Sequence, residues 1–489
     1  MPATELFKCI SNKKLLFGAI IVFIIPFILF AFWNFPSADD YMIINKRSQF
    51  SFWKLQHDVY HNWSGRYFAT FVSCVFSYSG FLYSHYYLHT PLLLLFTVLS
   101  WLFCLRQINK SLLNKTLSQS SLVLFSLLLL ILEINIIPEP VTAFYWFSSA
   151  VTYQLPLIIM VFLAGIIIKL LFATVNKVIY FFIASLLIIM LNGCNEIITL
   201  FVLTYSTILL GYNLFIYKKI PLFPGSLYVL SIITACFLLF SPGLLNRGAI
   251  LGEGSFISGI SIASIKFAVL NWFFLKEPLW WFSTLFVIVF LSDNKKTFGQ
   301  TLKPVNNLSI TSLLVFYVAS GSLIYIPVLY VTNGSLPLRA ENIICFLFSL
   351  ILLFIISTCI SNKINKDCVS TSLLYQYRYL LFSILIFSTA NMKKVTDSLM
   401  SGYFYQLVMK ERLSLLENAK HKNQHEVTFV DYETAVKKKI KEDFPIADRQ
   451  VLKDIIVKPP PIICFGGDLY DLNYMKQFYG LRKLNIAHD

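Results

Sequence analysis

The chain has 489 residues, 57% hydrophobic and only 13% charged, with 46 phenylalanines. Soluble domains carry about 25% charged residues, so this composition excludes a soluble globular protein and implies a polytopic helical membrane protein. The net charge of +15 is spread through short loops with no basic stripe or zinc-finger spacing. It reads as bilayer contact and topology, and no nucleic-acid partner is expected.

Apolar runs fall at approximately 15–33, 67–83, 88–105, 120–137, 153–173, 178–193, 197–217, 224–241, 272–291, 309–330, 341–361 and 373–390. Lys8, Lys13 and Lys14 precede the first run. Its apolar core is longer than the roughly 7–15 residues of a signal peptide, so an uncleaved span with a cytoplasmic N-terminus is expected. The run 67–83 is broken by Ser73, Ser77, Ser79 and Gly80, and either spans or re-enters. If it spans, Arg106/Lys110/Lys115, Lys218/Lys219, Lys295/Lys296/Lys303 and Lys363/Lys366 all fall outside; if it stays in the interface, all become cytoplasmic. The positive-inside rule selects the second choice: about eleven spans, N-terminus inside, C-terminus outside.

That topology places Asp39/Asp40, Asn62-Trp63-Ser64-Gly65-Arg66, Tyr145-Trp146-Phe147-Ser148-Ser149, Asn192 to Glu196, Ser241-Pro242-Gly243 with Asn246-Arg247, and Leu338-Arg339-Ala340-Glu341-Asn342 together on the outer face. The first outer loop, 34–87, is long for a connection, and Phe50, Phe52, Trp53, Leu55, Val59, Tyr60 and Trp63 suggest interfacial helices within it. Residues 1–390 form the membrane domain. The tail 391–489, with sixteen Lys/Arg and thirteen Asp/Glu, is soluble in character and extracytoplasmic, a small α/β region. A helix is expected through Leu399 to Leu416, strands at Val427–Val430 and Ile455–Val457, a break at Pro459-Pro460-Pro461, and an aromatic segment from Tyr470 to Tyr479. The nine cysteines show no metal-ligand spacing.

Adjacent carboxylates at a membrane boundary are functional candidates. Asp39 and Asp40 suit general-base catalysis, metal binding, cation translocation or the capping of a helix starting near Tyr41. Arg66, Arg247 and Arg339 are isolated guanidiniums suited to bidentate phosphate recognition; a headgroup contact or salt bridge is the alternative for each. Glu196, Glu139 and Glu133 add carboxylates near outer span ends, and Glu133 should face a cavity or an arginine. Tyr145 and Trp146 suit stacking on a sugar ring or an interfacial aromatic belt. His57/His61 and His85/His89 have helical spacing but no fixed carboxylate partner, so no metal is expected.

Several of these islands carry a resemblance. An uncleaved first span followed by an acidic pair in a long outer loop resembles the GT-C superfamily of membrane glycosyltransferases, which includes protein O-mannosyltransferases and the aminoarabinose transferases of lipid A. Ser37-Ala38-Asp39-Asp40-Tyr41, Trp63-Ser64-Gly65-Arg66, Asn195-Glu196, Ser241-Pro242-Gly243 with Arg247, Arg339, and Asn473 to Phe478-Tyr479-Gly480 are similar to those of a bacterial family of GT-C-like proteins. The resemblance implies a polyprenyl-phosphate sugar donor, no separate cofactor, inversion at the anomeric carbon, and a surface glycan or glycolipid acceptor, at a bacterial plasma membrane. It makes Asp39 the base with Asp40 beside it; by their own chemistry, Arg339 and Arg247 would bind and neutralise the phosphate leaving group. Arg66 would order the loop against Asp40, and Asn195, Glu196, Tyr145 and Trp146 complete the candidate substrate-binding set. A lipid-linked glycan transporter or flippase and a non-enzymatic envelope-assembly protein are the alternatives.

Overall fold

The computed structural model describes residues 13–37, 39–113, 115–172, 177–218, 220, 222–251, 256–293, 310–331, 336–361, 377–443 and 475–487. In chain order the helices are α1 (Lys13–Phe32), α2 (Asp39–Gln49), α3 (Phe52–Asn62), α4 (Tyr67–Tyr78), α5 (His89–Ser111), α6 (Gln119–Ile136), α7 (Phe147–Phe172), α8 (Lys177–Asn192) and α9 (Glu196–Tyr217). There follow α10 (Leu222–Leu239), α11 (Pro242–Leu251), α12 (Phe256–Leu275), α13 (Pro278–Asp293), α14 (Ile310–Val331), α15 (Leu338–Ser361), α16 (Arg378–Leu385) and α17 (Ala390–His421). The chain then forms β1 (Glu426–Val430), α18 (Tyr432–Asp443) and β2 (Lys483–Ala487).

Six described segments are long and apolar enough to cross a bilayer: Lys14–Phe32, Tyr86–Ser111, Gln119–Ile136, Phe147–Phe172, Leu222–Leu239 and Leu338–Ser357. Pro26 and Pro156 lie inside α1 and α7, which membrane helices tolerate because neighbours re-satisfy the freed backbone groups. Ile21, Leu95, Phe182 and Phe237 stay exposed on the bundle, where lipid rather than water would cover them. The chain is an all-α membrane protein.

The helix over the run 67–83 is α4, whose twelve residues reach about 18 Å, short of the ~30 Å hydrocarbon core. It packs on α2 and α3, and Lys46 Nζ joins α2 to α3 through Asp58 Oδ2 at 2.9 Å. The expected single span 272–291 is instead two helices, α12 and α13, that meet at Lys276-Glu277-Pro278. Proline suits the first position of the new helix, where its missing N–H is no loss. Trp280 Nε1 donates to Ser349 O at 3.2 Å and Ser357 Oγ to Thr284 O at 3.3 Å, so α13 and α15 run side by side in one direction. Of the run 373–390, the described helix is α16 with eight residues, and 373–376 lie outside the described residues.

The tail begins with α17, capped by Thr389, whose Oγ1 accepts from Met392 N at 3.3 Å. Gly402 seats α17 against Phe30 and Trp33 at the end of α1. β1 contains the expected strand Val427–Val430, and its parallel partner is β2, in the register Glu426↔Lys483 to Val430↔Ala487. No strand is expected from the sequence at Lys483–Ala487. The expected strand Ile455–Val457, the proline run 459–461, residues 470–474, and Lys8, Lys219, Lys295, Lys296, Lys303, Lys363 and Lys366 lie outside the described residues. Phe478 packs on Tyr41 of α2, ring centroids 5.9 Å apart, so the tail reaches the loop that carries the acidic pair.

Candidate functional site

The two aspartates at the start of α2 have opposite surroundings. Asp40 is fully buried. Its Oδ1 accepts from Ser148 N at 2.9 Å and Ser148 Oγ at 2.5 Å; its Oδ2 accepts from the Tyr86 hydroxyl at 2.7 Å and Ser37 N at 3.3 Å. The carboxylate thereby ties α2 to the first turn of α7, where a negative charge is favoured by the helix dipole. Burial raises its pKa to about 6 against the pull of these donors. Asp39 accepts no hydrogen bond among the described residues. Burial raises its pKa as well, opposed by the positive fields of Arg339 and Arg66.

Arg66, Glu196 and Arg247 form one cluster. Arg66 Nη2 donates to Glu196 Oε2 at 2.8 Å and Nε to Oε1 at 3.3 Å, a bidentate fork; Arg247 Nη2 donates to Glu196 Oε1 at 3.0 Å. Close backbone approach makes this possible. A Cβ on Gly65 would lie 2.0 Å from Ser241 Oγ, and one on Gly243 would lie 2.5 Å from Ser64 N. Only glycine at both places lets the Trp63–Arg66 turn nest against the start of α11, which brings Arg66 and Arg247 to the same carboxylate. Asn195 caps α9, its Oδ1 accepting from Ile198 N at 2.9 Å and its Nδ2 donating to Thr152 O at 2.5 Å, and so fixes Glu196 next to α7.

Arg339, in the first turn of α15, is placed by a clasp three residues on. Asn342 Oδ1 accepts from Glu139 N at 2.9 Å and its Nδ2 donates to Glu139 O at 2.8 Å. That holds α15 to a single π-turn, Val141–Tyr145, closed by Trp146 N donating to Val141 O at 3.1 Å. Such turns recur at functional sites. Trp146 follows directly, and the Arg339 guanidinium lies 4.9 Å over its ring and 5.8 Å from that of Tyr153. Arg66 also lies 5.8 Å from the Tyr153 ring. Arg339 makes no ion pair among the described residues, and its buried Nε has no hydrogen-bond partner.

The structure therefore brings Asp39, Arg66, Glu196, Arg247, Arg339 and Trp146 together at one end of the helices, from segments up to 300 residues apart in numbering. Three expectations need correction. Arg66 pairs with Glu196, not Asp40. Tyr145 is a packed core residue whose hydroxyl donates to Phe27 O at 2.8 Å, so its ring is closed to a sugar. Glu133 pairs with no arginine among the described residues but meets Gln154, whose Nε2 donates to Glu133 Oε1 at 2.6 Å. Tyr153, between the guanidiniums, is not foreseen from the sequence; its only signal there is a polar aromatic at the first position of an apolar run. His57 and His61 stack on each other at 3.9 Å, and among the described residues no group of three or more metal-ligand side chains gathers.

Three guanidiniums facing two carboxylates, Asp39 and Glu196, leave an excess of one positive charge. Such a site has the charge to hold an anion and a carboxylate, Asp39, that can accept a proton. Fold and site together define a multi-pass all-α membrane protein with an arginine–carboxylate cluster at one end. No family model, curated protein or solved structure matches the chain.

Proposed function

We propose that the chain is a GT-C-like glycosyltransferase, with about eleven spans, that moves a sugar from a polyprenyl-phosphate donor to a surface glycan or glycolipid on the extracytoplasmic face. Asp39 takes the proton of the acceptor hydroxyl as its oxygen attacks the anomeric carbon. The carbon–oxygen bond to phosphate breaks on the opposite side, giving inversion, and the electron pair leaves with the phosphate. Arg339 meets that developing charge, because a preorganised cation in a dry site stabilises the transition state more than the ground state. Arg247 and Arg66, already shared with Glu196, set the field around it. Asp40 positions Asp39 by fixing α2.

One observation carries the reading: an arginine with no ion pair and an aspartate with no hydrogen-bond donor among the described residues share a site whose surplus of one positive charge matches the single negative charge of a sugar phosphodiester. A second fact agrees with it. An apolar cavity of about 340 Å³ between α7, α9 and α10, walled by Phe201, Val202 and Tyr205, starts about five residues along α9 from Glu196, roughly 7.5 Å, and suits a prenyl chain.

Binding of undecaprenyl phosphate to the purified protein in nanodiscs tests the donor half. Arg339→Ala should lose roughly tenfold or more in affinity, and Arg339→Lys should be nearly as weak, because an ammonium lacks the planar fork. Full binding by both variants would sink the phosphate role. Sugar transfer from a total cellular prenyl-lipid extract tests the rest. An Asp39→Asn protein that supports envelope glycan assembly at the wild-type level would make this an assembly or transport protein instead.

A further inference from the structure

A second cavity, more polar than the first, lies on the opposite half of α2 from Asp39. It is a cleft of about 1010 Å³ between the loop helices and the tail, at the upper end of the roughly 300–1,000 Å³ that ligand pockets occupy. One wall is the C-terminal half of α2, from Ile44 to Gln49; the other is the end of α17 and the segment Lys476–Leu481. Arg47, Lys420, His421 and Lys476 line it against one acid among its lining residues, Glu417. Arg47, Lys420 and Lys476 hold no ion pair among the described residues. Lys420 Nζ sits 5.3 Å over the Phe478 ring, and Phe478 itself rests on Tyr41.

We propose that this cleft binds the acceptor, and that the acceptor is an anionic oligosaccharide, a glycan bearing carboxylate or phosphate groups. The cations supply the charge complement. Gln49 and Gln477 supply amides for hydroxyls, and the half-buried Phe478 supplies aromatic surface for a sugar face. The cleft is too large for one phosphate. Its apolar lining residues are interleaved with polar ones, which favours a glycan over a lipid headgroup. Placement agrees, because Ile44 is only about 7.5 Å along α2 from Asp39. The term acceptor rests on the transferase reading; the binding of an anionic glycan does not.

The test uses the full chain in phosphatidylcholine nanodiscs with a fluorescent hexagalacturonate and, as its neutral counterpart, maltohexaose. Hexagalacturonate should bind, weaken with added salt, and bind more tightly than maltohexaose. Lys420→Gln/Lys476→Gln removes two cations of the cleft and should cost roughly tenfold in hexagalacturonate affinity, with undecaprenyl phosphate binding retained. Equal affinity for the two oligosaccharides, or an unchanged double variant, overturns the proposal. So does a defect seen only as weaker association with phosphatidylglycerol vesicles, which assigns the cations to lipid. If hexagalacturonate binding behaves as stated while Asp39→Asn leaves glycan assembly intact, the cleft stands and the transferase reading falls.

Discussion

Asp39 and Asp40 are neighbours in sequence, yet both carboxylate oxygens of Asp40 are committed to donors and, among the described residues, neither of Asp39 is. Asp39→Asn is nearly isosteric and keeps the fold, but it cannot take a proton, so sugar transfer should fall by roughly 10²–10⁴-fold with undecaprenyl phosphate binding retained. Asp40→Asn should act on stability instead. The folded pKa of Asp40 is raised from 3.8 to about 6, so its contribution is fully present below pH 4 and is lost as pH rises through 6. Relative to the Asp40→Asn variant, which does not titrate there, the wild type should lose about 2 kcal/mol between pH 4 and pH 7. Thermal unfolding in detergent across that range measures it, and a pH-independent gap would contradict the burial of a titrating carboxylate. The acidic pair and the three arginines were legible because loop charge alone sorted them onto one face. The Arg66–Glu196 fork was not, since it closes across 130 positions and no local pattern encodes which cation meets which acid.

At the scale of elements, the site depends on contacts where no side chain fits. In Gly65→Ala the new Cβ would meet Ser241 Oγ at 2.0 Å and the backbone Leu238 O at 2.6 Å; the carbonyl cannot swing away. Overpacking of this kind costs about 1–3 kcal/mol, and here it also pushes Arg66 from Glu196. Gly18→Ala, with nothing within 4 Å, is the control and should leave the melting temperature and lipid binding unchanged. Equal behaviour of the two variants would mean that the Trp63–Arg66 turn does not need its close approach. The sequence showed α1, α5, α6, α7 and α15 clearly, because unbroken apolar runs admit little else in a bilayer. It hid the α12–α13 break, where Lys276 folds its ammonium 4.7 Å over the Trp272 ring and so masks a polar interruption. It also hid β2, a short alternating segment whose strand state depends on pairing with β1.

For the whole molecule, the positive-inside argument and the clustering of the site make one prediction. A phosphatase fused after Asp489 should be active and a cytoplasmic fluorescent reporter at the same place dark, because a phosphatase folds productively outside. The reverse pattern would put the arginine cluster on the cytoplasmic face and remove the extracytoplasmic chemistry. The class of the protein was legible from composition, whereas the way the tail returns to α2 was not, since Phe478 and Tyr41 meet across almost the full length of the chain.

The single surplus charge among Arg66, Arg247, Arg339, Asp39 and Glu196 has a kinetic side. In the proposed reaction Asp39 becomes neutral as it takes the acceptor proton, so the surplus grows to two. The phosphodiester donor, with one negative charge, becomes a lipid phosphate that carries nearly two, given a second pKa of about 6. Site and product therefore charge up in step, and the spent carrier is held more tightly than the donor that replaces it. Turnover then waits on deprotonation: once Asp39 gives its proton to water, the carboxylate repels the lipid phosphate and the carrier leaves. Free undecaprenyl phosphate should be a strong product inhibitor whose grip loosens as pH rises through the raised pKa of Asp39.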